Sequence, residues 1–441
     1  MVHVSRAVRL TLLSLAFALP LAAQAVPTTA PKAVTLAQAL QMSDLVQPSM
    51  VAAGGQLAST AARLRTAKGA FLPTLSANSS GSRGFSEGKA RVDPVTNQIV
   101  TGDTESKSYG FGWNASLLIF DGFGRNKNLK VAHANEDAAG ASLVDTRFQN
   151  QLTTTNAFFD ALAATQALRV RLATVKRSEE QLKVAIAKLQ TGSATRSDSL
   201  QSLVTLGTAK LNYLQAQSTV ATTEANLGRL IGSDERVVAI EDSAFYRAAT
   251  FDTLSLRREA VESSPKARNA EALAAASRAS YAASKAAYWP TLSASFNNGW
   301  NGNQGNDYEF FQSRNFSLSL NWALFNGFTR EQNVATASIN MDNAEATAAE
   351  ARRQVLASLT QRLAELGTAQ QQIDILATSV QAATENLRVV SERYKLGVAT
   401  IIDVMTAQEQ LTQSEIDAVT ARFSYLRAKA QVEALIGRSL Q

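Results

Sequence analysis

Four segments of the chain alternate apolar and polar residues with a period of two. In one of them Tyr109, Phe111 and Trp113 are separated by single glycines. Period two over about ten residues is what a membrane-spanning strand needs, with one face to lipid and one to a polar lumen. A soluble sheet with one apolar face is the alternative interpretation. The predicted strands are about 73–83, 108–120, 290–300 and 314–325.

Helical stretches occupy most of the remaining sequence. Two proline-free stretches, Asn128 to about Gln190 and Asn333 to about Lys395, are long enough for rods of roughly 95 Å at about 1.5 Å per residue. Apolar residues recur at an average spacing of about 3.5, which is typical of packed, supercoiled helices. In the helix that returns after the first rod, this seam consists of Leu200, Val204, Gly207, Leu211 and Leu214.

The chain is an internal duplication. Phe71–Ala77 matches Tyr288–Ala294 at an offset of 217 residues, and Phe120–Phe123 matches Phe325–Phe328 at an offset of 205. The second offset holds through the helices that follow. Each repeat is expected to contain a leading helix (about 36–70 or 254–287), a strand, a loop, a strand, a long helix and a return helix. We place the repeats at 26–252, which ends in a connector, and at 253–441.

The first 25 residues are predicted to be a signal peptide. Arg6 and Arg9 precede the apolar run Leu10–Leu21, and Ala23-Gln24-Ala25 follows as a small-residue cleavage site. A short membrane anchor is the alternative. Later stretches are too polar for a transmembrane helix, so a mature chain that enters a membrane is expected to do so through its strands.

Composition excludes several classes of function. The chain has no Cys and 2 His, so disulfide scaffolds, thiol catalysis and His-based metal centres are not expected. The net charge of +6 comes from scattered Lys and Arg without a basic block, which does not suggest nucleic acid binding. We therefore predict a protein that is not an enzyme and has no cofactor or metal.

Four strands cannot close a membrane sheet alone, because an open edge in lipid costs several kcal/mol per unsatisfied backbone group. Two copies would give eight strands with a filled interior, whereas three would give twelve and room for water. Rods of roughly 95 Å cannot fit within a bilayer of about 30 Å, so they must project into an aqueous space. A barrel that continues into a helical tube is a conduit.

These features resemble the TolC family of outer-membrane efflux and secretion channels. The resemblance rests on the duplication, on the Pro-Thr-Leu-Ser-Ala strand starts at Pro73 and Pro290, on the Phe-Asp/Asn-Gly-Phe junctions and on the two helix turns. It implies an α+β membrane channel, in which a trimeric 12-stranded β-barrel in the outer membrane continues into a 12-helix α-barrel in the periplasm. It also implies a periplasmic adaptor and an inner-membrane RND or MFS pump or ABC exporter as partners.

The resemblance places the turns, about 191–198 and 396–403, at the periplasmic tip, where the tunnel narrows and the adaptor docks. The residues expected to form the gate and select ions are Asp198, Asp403, Tyr394, Arg196 and Arg393. The residues expected to form the turns and dock the adaptor are Gly192, Ala194, Thr195, Gly397, Ala399 and Thr400. Asp198 and Asp403 could cap helices, line a cation-selective constriction, or do both. Ala399 stands where the family would place an Arg.

Aromatic residues near the strands are expected to contact outer-membrane lipid as interfacial girdles. They are Trp113, Trp289, Trp300, Trp322, Tyr109 and Phe111. The sequence thus favours a passive export duct for drugs, other small molecules or proteins, and leaves the cargo open. A secreted coiled-coil scaffold without channel activity is the alternative.

Overall fold

The computed structural model describes residues 32–88, 91–100, 104–242, 245, 253–303 and 309–440. The expected signal peptide and most of the connector near residue 252 lie outside the described residues.

Both halves share the order of two helices, two long strands and two long helices, and among the described residues the first half has four further short strands. The first half contains β1 (Lys32–Val34), α1 (Leu36–Val46), α2 (Pro48–Gly69), β2 (Thr74–Ser86), β3 (Arg91–Val92), β4 (Ile99–Val100), β5 (Thr104–Phe120), α3 (Gly124–Gln190), α4 (Arg196–Ile231) and β6 (Val237–Ala239). The second contains α5 (Thr253–Ser263), α6 (Pro265–Ser284), a 3₁₀ turn (Lys285–Tyr288), β7 (Thr291–Asn303), β8 (Phe311–Asn321), α7 (Thr329–Lys395) and α8 (Ile401–Ile436).

The duplication is visible in helix lengths. Helices α3 and α7 both have 67 residues, and α4 and α8 both have 36. The expected leading helices are each broken, however, before Pro48 and before Pro265. A proline has no backbone N–H and restricts the residue before it to extended conformations, so it begins a helix and does not continue one.

The main sheet is antiparallel, with the strand order β2-β5-β7-β8. The register places Trp113 opposite Ala77 and Asn298, and Phe296 opposite Ala115 and Phe316, so the apolar residues share one face. Strands β2 and β8 are the two edges of this sheet.

The other face of the sheet is lined by serine, threonine, asparagine and glycine. Hydroxyl pairs cross between neighbouring strands at 2.7 Å, as between Thr74 and Ser116 and between Ser295 and Ser317. Asn114 donates to Asn297 on the same face. The sheet therefore has one polar surface and one mainly apolar surface, as the alternating sequence predicts, although Asn298, Gln312 and Arg314 share the mainly apolar one.

The long helices α3 and α7 run past two successive levels of shorter helices. We call these levels storeys: α2 and α6 form the one next to the sheet, and α4 and α8 form the distant one. In the storey next to the sheet, α3 packs against α2 and α6, and α6 packs against α7. In the distant storey, α3 packs against α4 and α8, and α8 packs against α7. The orders are therefore α2-α3-α6-α7 and α4-α3-α8-α7.

The apolar core lies where the two storeys meet. Phe158 of α3, Leu359 of α7 and Phe423 of α8 are fully buried there. At the start of α2, Gln47 donates to the carbonyl oxygen of Leu230 at the end of α4, so α4 continues the line of α2. At the start of α6, Pro265 packs on Gly437, which follows the end of α8, so α8 continues the line of α6.

The predicted α4 seam is left exposed within one chain. Helix α4 packs on α3 through a different row that includes Leu206 and Ala209. Leu200, Val204, Leu211 and Leu214 are 52%, 62%, 68% and 57% exposed. At 3.6 residues per turn the exposed row lies opposite to the buried one, so α4 has two apolar stripes and only one is covered.

The two strand-to-helix junctions have the same backbone. Gly122 and Phe123 have φ of 65°, and Gly327 and Phe328 have φ of 66° and 63°. Two successive left-handed residues turn the chain from the strand into the long helix, and only glycine adopts this conformation without steric cost.

An arginine stabilises each junction. Arg125 donates to the carbonyl oxygen of Ile119 at 2.9 Å and lies over the Phe71 ring. Arg330 donates to the carbonyl oxygen of Ala323 at 3.2 Å and lies over the Tyr288 ring. The duplicated sequence thus preserves a contact between each long helix and the segment before the first strand of its repeat.

The two junction glycines differ in their surroundings, which generates a matched prediction. A Cβ at Gly122 would collide with Trp289 and lie 3.0 Å from the carbonyl oxygen of Ala286, whereas a Cβ at Gly327 meets nothing within 4 Å. We expect Gly327→Ala to cost about 1 kcal/mol for the left-handed backbone. Gly122→Ala should cost about 1–3 kcal/mol more because of the collision. Thermal unfolding in detergent measures both, and equal midpoints would contradict the account.

Candidate functional site: the helix turns at the tip

Both helix turns have the same backbone hydrogen bonds. Ser193 N donates to Lys188 O at 2.8 Å, and Val398 N donates to Arg393 O at 2.9 Å. These bonds close a Schellman motif around Gly192 and Gly397, whose φ values are 73° and 80°. Each long helix therefore stops sharply and reverses.

Each returning helix begins with a capping box. Thr195 accepts from the backbone amide of Asp198, whose carboxylate accepts from the backbone amide of Thr195. Thr400 and Asp403 make the same pair, with an Oδ2 to N distance of 2.8 Å. The capping role considered for both aspartates is thus present in the structure.

The charge of Asp403 is stabilised by its surroundings. The backbone amide and hydroxyl of Thr400 lower the pKa of this carboxyl below its ordinary value, and the positive charge of Arg393 adds to this effect. Asp403 is therefore ionised at neutral pH while it remains exposed to solvent.

Tyr394 is the buried residue of the tip. It is 4% exposed and belongs to a small cluster with Ile401 and Val404. Burial raises the pKa of its hydroxyl, and the carboxylate of Asp198 raises it further. The structure therefore brings Tyr394 of the second repeat close to the capping aspartate of the first.

Lys188, which the sequence analysis did not identify, links the two turns. Its amino group donates to the carbonyl oxygen of Tyr394 and lies 4.4 Å from the centre of that ring. The contact joins the end of α3 to the end of α7. No sequence signal indicated it, because the ring and carbonyl come together only when the two repeats pack.

The remaining expected tip residues lie on or beside the turns. Arg196 and Arg393 are exposed, as are Gly192, Thr195, Gly397 and Thr400, whereas Ala194 and Ala399 are half-buried. Ala399 packs against the Tyr394 cluster.

A polar seam separates the two repeats above the tip. Arg177 and Glu415 form an ion pair at 2.7 Å, and Gln408 donates to Ser178 at 2.7 Å. By contrast, Val175 of α3 packs on apolar residues of α4. The sequence pattern predicted packed helices but not this polar stretch, which lies between two apolar contacts of the repeats, the core around Phe158 and the Tyr394 cluster.

The expected girdle residues lie at two levels of the sheet. Trp289 and Trp322 lie at the end next to the helices and are 57% and 58% exposed. Trp300 stacks on Phe111 with a centroid distance of 4.9 Å near the other end. Trp113 contacts Phe296 between these levels, and Tyr109 follows Phe111 on the same face.

Comparison with known proteins decides the family. The model of the outer membrane efflux protein family matches residues 39–233 and 256–438, which together make up most of the chain.

The chain belongs to the outer membrane efflux protein family.

Relatives of this efflux protein share low sequence identity over long alignments. Protein CyaE of Bordetella pertussis is 25% identical over 66% of this chain, and the alignment spans 62% of CyaE, less than two thirds. Outer membrane efflux protein BepC of Brucella suis is 23% identical, with 83% of this chain and 79% of BepC covered. Probable efflux pump outer membrane protein TtgC of Pseudomonas putida is 23% identical, with coverages of 90% and 82%.

Solved structures have the same fold. VceC of Vibrio cholerae superimposes with a TM-score of 0.75 at 17% identity and covers 92% of this chain and 97% of its own. The open state of MtrE of Neisseria gonorrhoeae gives 0.75 at 20% identity, with coverages of 92% and 89%. Within the described ranges, none of this efflux protein's helices combines the length and apolarity that a membrane-crossing helix requires. As a member of this family, the protein is an outer-membrane component of the efflux class.

Lys188 provides a test of the tip geometry. Lys188→Met removes a cation over an aromatic ring and a hydrogen bond, which together are worth about 1–2 kcal/mol. We expect the amides around Tyr394 to exchange with deuterium about tenfold faster in this variant. Lys183→Met is the control, because Lys183 is exposed and pairs only locally with Glu180 on the same helix. Equal exchange in both variants would show that Lys188 does not hold the turns together.

Proposed function

We propose that three copies of the chain form a closed duct, in which a 12-stranded barrel crosses the outer membrane and a 12-helix tube extends into the periplasm. The duct carries cargo passively and has no catalytic site. The observation that supports this most strongly is that each chain exposes strand edges and apolar helix residues on two opposite flanks, from the sheet to the helices.

One flank consists of β2, α2 and α4, and the opposite flank consists of β8 and α7. Leu211 and Leu214 are exposed on the first flank, and Ile375 and Ile339 are 64% and 58% exposed on the second. Flanks of different composition join head to tail, and such interfaces generate rings when the rotation closes. Each copy would supply the partner that its neighbour lacks.

The number of copies follows from the need for a lumen. A barrel of eight strands is filled by its own side chains, whereas larger barrels leave a passage. The polar face of the sheet, with its ladder of hydroxyl groups, suits the inside of a water-filled barrel, and the apolar face suits lipid. Three copies are the smallest ring that meets both conditions.

The tip would be the point of control. In a trimer, Asp198 and Asp403 would place six carboxylates around the narrow end, in addition to capping six helices. The exposed turns at Gly192 and Gly397 would dock a periplasmic adaptor, which joins the duct to an inner-membrane RND or MFS pump or ABC exporter. Drugs and other small molecules are compatible cargo, since the names of relatives include an antibiotic efflux pump protein and a toluene efflux pump protein. Secreted proteins as cargo follow only from the family resemblance.

Charge at the exposed stripe of α4 tests the ring. Leu211→Glu would bury a carboxylate between copies, so we expect the trimer to be lost while helix content is kept. Gln217→Glu adds the same charge to α4 about a third of a turn away from the stripe and should leave the trimer intact. Light scattering in detergent gives the mass. Trimers in both variants would exclude this stripe from the interface.

Charge at the second turn tests the constriction. Asp403→Asn removes the charge but keeps an oxygen that accepts from Thr400, so the cap is retained. We expect the preference of single channels for cations over anions to fall severalfold. Asp374→Asn, roughly 30 Å away along α7, is the control. Unchanged ion selectivity with Asp403→Asn would leave this residue as a helix cap alone.

A further inference from the structure

Charged residues continue the outward face of the sheet beyond its aromatic level. The register pairs Tyr109 with Gly81, Lys107 with Arg83 and Glu105 with Phe85, two positions further at each step. Successive side chains of a strand alternate between faces, so these residues share the face of Trp113 and Phe111. The outer rim of the apolar face is therefore charged.

Side-chain contacts agree with this assignment. The Tyr109 ring lies on Gly81, where an added Cβ would be 3.4 Å from it. The hydroxyl groups of Ser82 and Ser108 meet at 2.7 Å on the opposite, polar face. The charged cluster (Arg83, Glu105 and Lys107) thus faces outward, away from the proposed lumen.

The height of the charged cluster matches a headgroup layer. Trp289 and Trp300 are eleven residues apart, which is about 37 Å along an extended strand. If the strand is tilted by roughly 40–45° from the membrane normal, the two residues differ in height across the membrane by about 27 Å. This is the thickness of the apolar band of a membrane barrel, about 25 Å. Lys107 lies four residues beyond Phe111, about 10 Å higher on the same estimate. The long helices leave from the other end, so this rim faces the outer leaflet.

One carboxylate is shared by two cations in the charged cluster. Arg83 Nε lies 2.6 Å and Lys107 Nζ 3.1 Å from Oε1 of Glu105. Arg83 also lies 4.7 Å from the centre of the Phe85 ring and keeps 58% of its side chain exposed. The charged cluster itself therefore carries one net positive charge, and the Arg83 side chain is held by Glu105 while more than half of it stays exposed.

We propose that the charged cluster binds a phosphate group on the headgroup of an outer-leaflet lipid. A guanidinium donates two parallel hydrogen bonds to phosphate oxygens, and a nearby ammonium adds charge. Glu105 holds the two cations in place when no lipid is bound and competes with phosphate for them. This inference depends on insertion of the sheet into the outer membrane, but not on the gate, the adaptor or the cargo.

Because Glu105 competes with phosphate, removing the cations and removing the carboxylate should change lipid binding in opposite directions. The double change Arg83→Gln and Lys107→Gln should weaken binding of a phosphorylated lipid by about tenfold or more, because each cation near an anionic lipid contributes about 1 kcal/mol to binding. Glu105→Gln should strengthen it, because the cations lose their internal partner. A cross-strand ion pair that serves only the sheet would make both changes equally harmful or equally neutral.

The experiment uses the full-length protein in phosphatidylcholine nanodiscs that contain lipid A with or without its phosphates. Native mass spectrometry counts the lipid A retained by each variant. Arg388→Gln and Glu385→Gln are matched controls, since this pair forms an ion pair at 2.7 Å on the exposed surface of α7. Both controls should retain as much lipid A as the unchanged protein.

Three results would overturn the proposal. Equal retention of phosphorylated and dephosphorylated lipid A would show that phosphate is not recognised, and a loss of lipid with Glu105→Gln would assign the charged cluster to sheet stability. Displacement of the lipid by inorganic phosphate alone would point to a free anion. Failure of the unchanged protein to enter any nanodisc would instead contradict the membrane sheet itself.

Discussion

Backbone N–H and C=O groups on the free edges of β2 and β8 find no water inside a bilayer, and each unpaired group there costs several kcal/mol. A sheet of four strands cannot satisfy them by itself. Closure by further copies follows from this constraint, and the uncovered stripe of α4 and the exposed isoleucines of α7 lie on the flanks that closure would bring together. The sheet and the helical wall thus require the same assembly.

Duplication explains how one sequence builds both the sheet and the helical wall with matching junctions and turns in each repeat. Each strand enters its long helix through two left-handed residues, and an arginine ties each junction to the aromatic residue that precedes the first strand of its repeat. At the other end each long helix reverses through a glycine and a capping box. Between the repeats, the polar seam of Arg177 and Glu415 replaces the apolar contacts found within the first repeat. The tip is therefore built from capped turns that are joined by the Lys188 contact and by the apolar cluster around Tyr394.

Sequence alone predicted the features that repeat over short distances. Period two placed the four strands, and the helix turns were apparent from glycine and aspartate at fixed spacing. The proline breaks at Pro48 and Pro265 were missed, although a proline signal was present in the sequence. The partner of the Leu211 stripe could not be deduced, because a heptad pattern shows that a helix packs but does not identify the helix against which it packs. Lys188 and Tyr394 meet across 206 residues, and such a contact leaves no local pattern.

The central claim is that one chain is a third of a continuous duct. The most direct test measures the mass and the single-channel conductance of the same detergent-extracted preparation in a planar bilayer. The account predicts particles of three chains that conduct in small, cation-selective steps. Particles of another stoichiometry that never conduct, even after the carboxylates of Asp198 and Asp403 are removed, would contradict it and favour a helical scaffold.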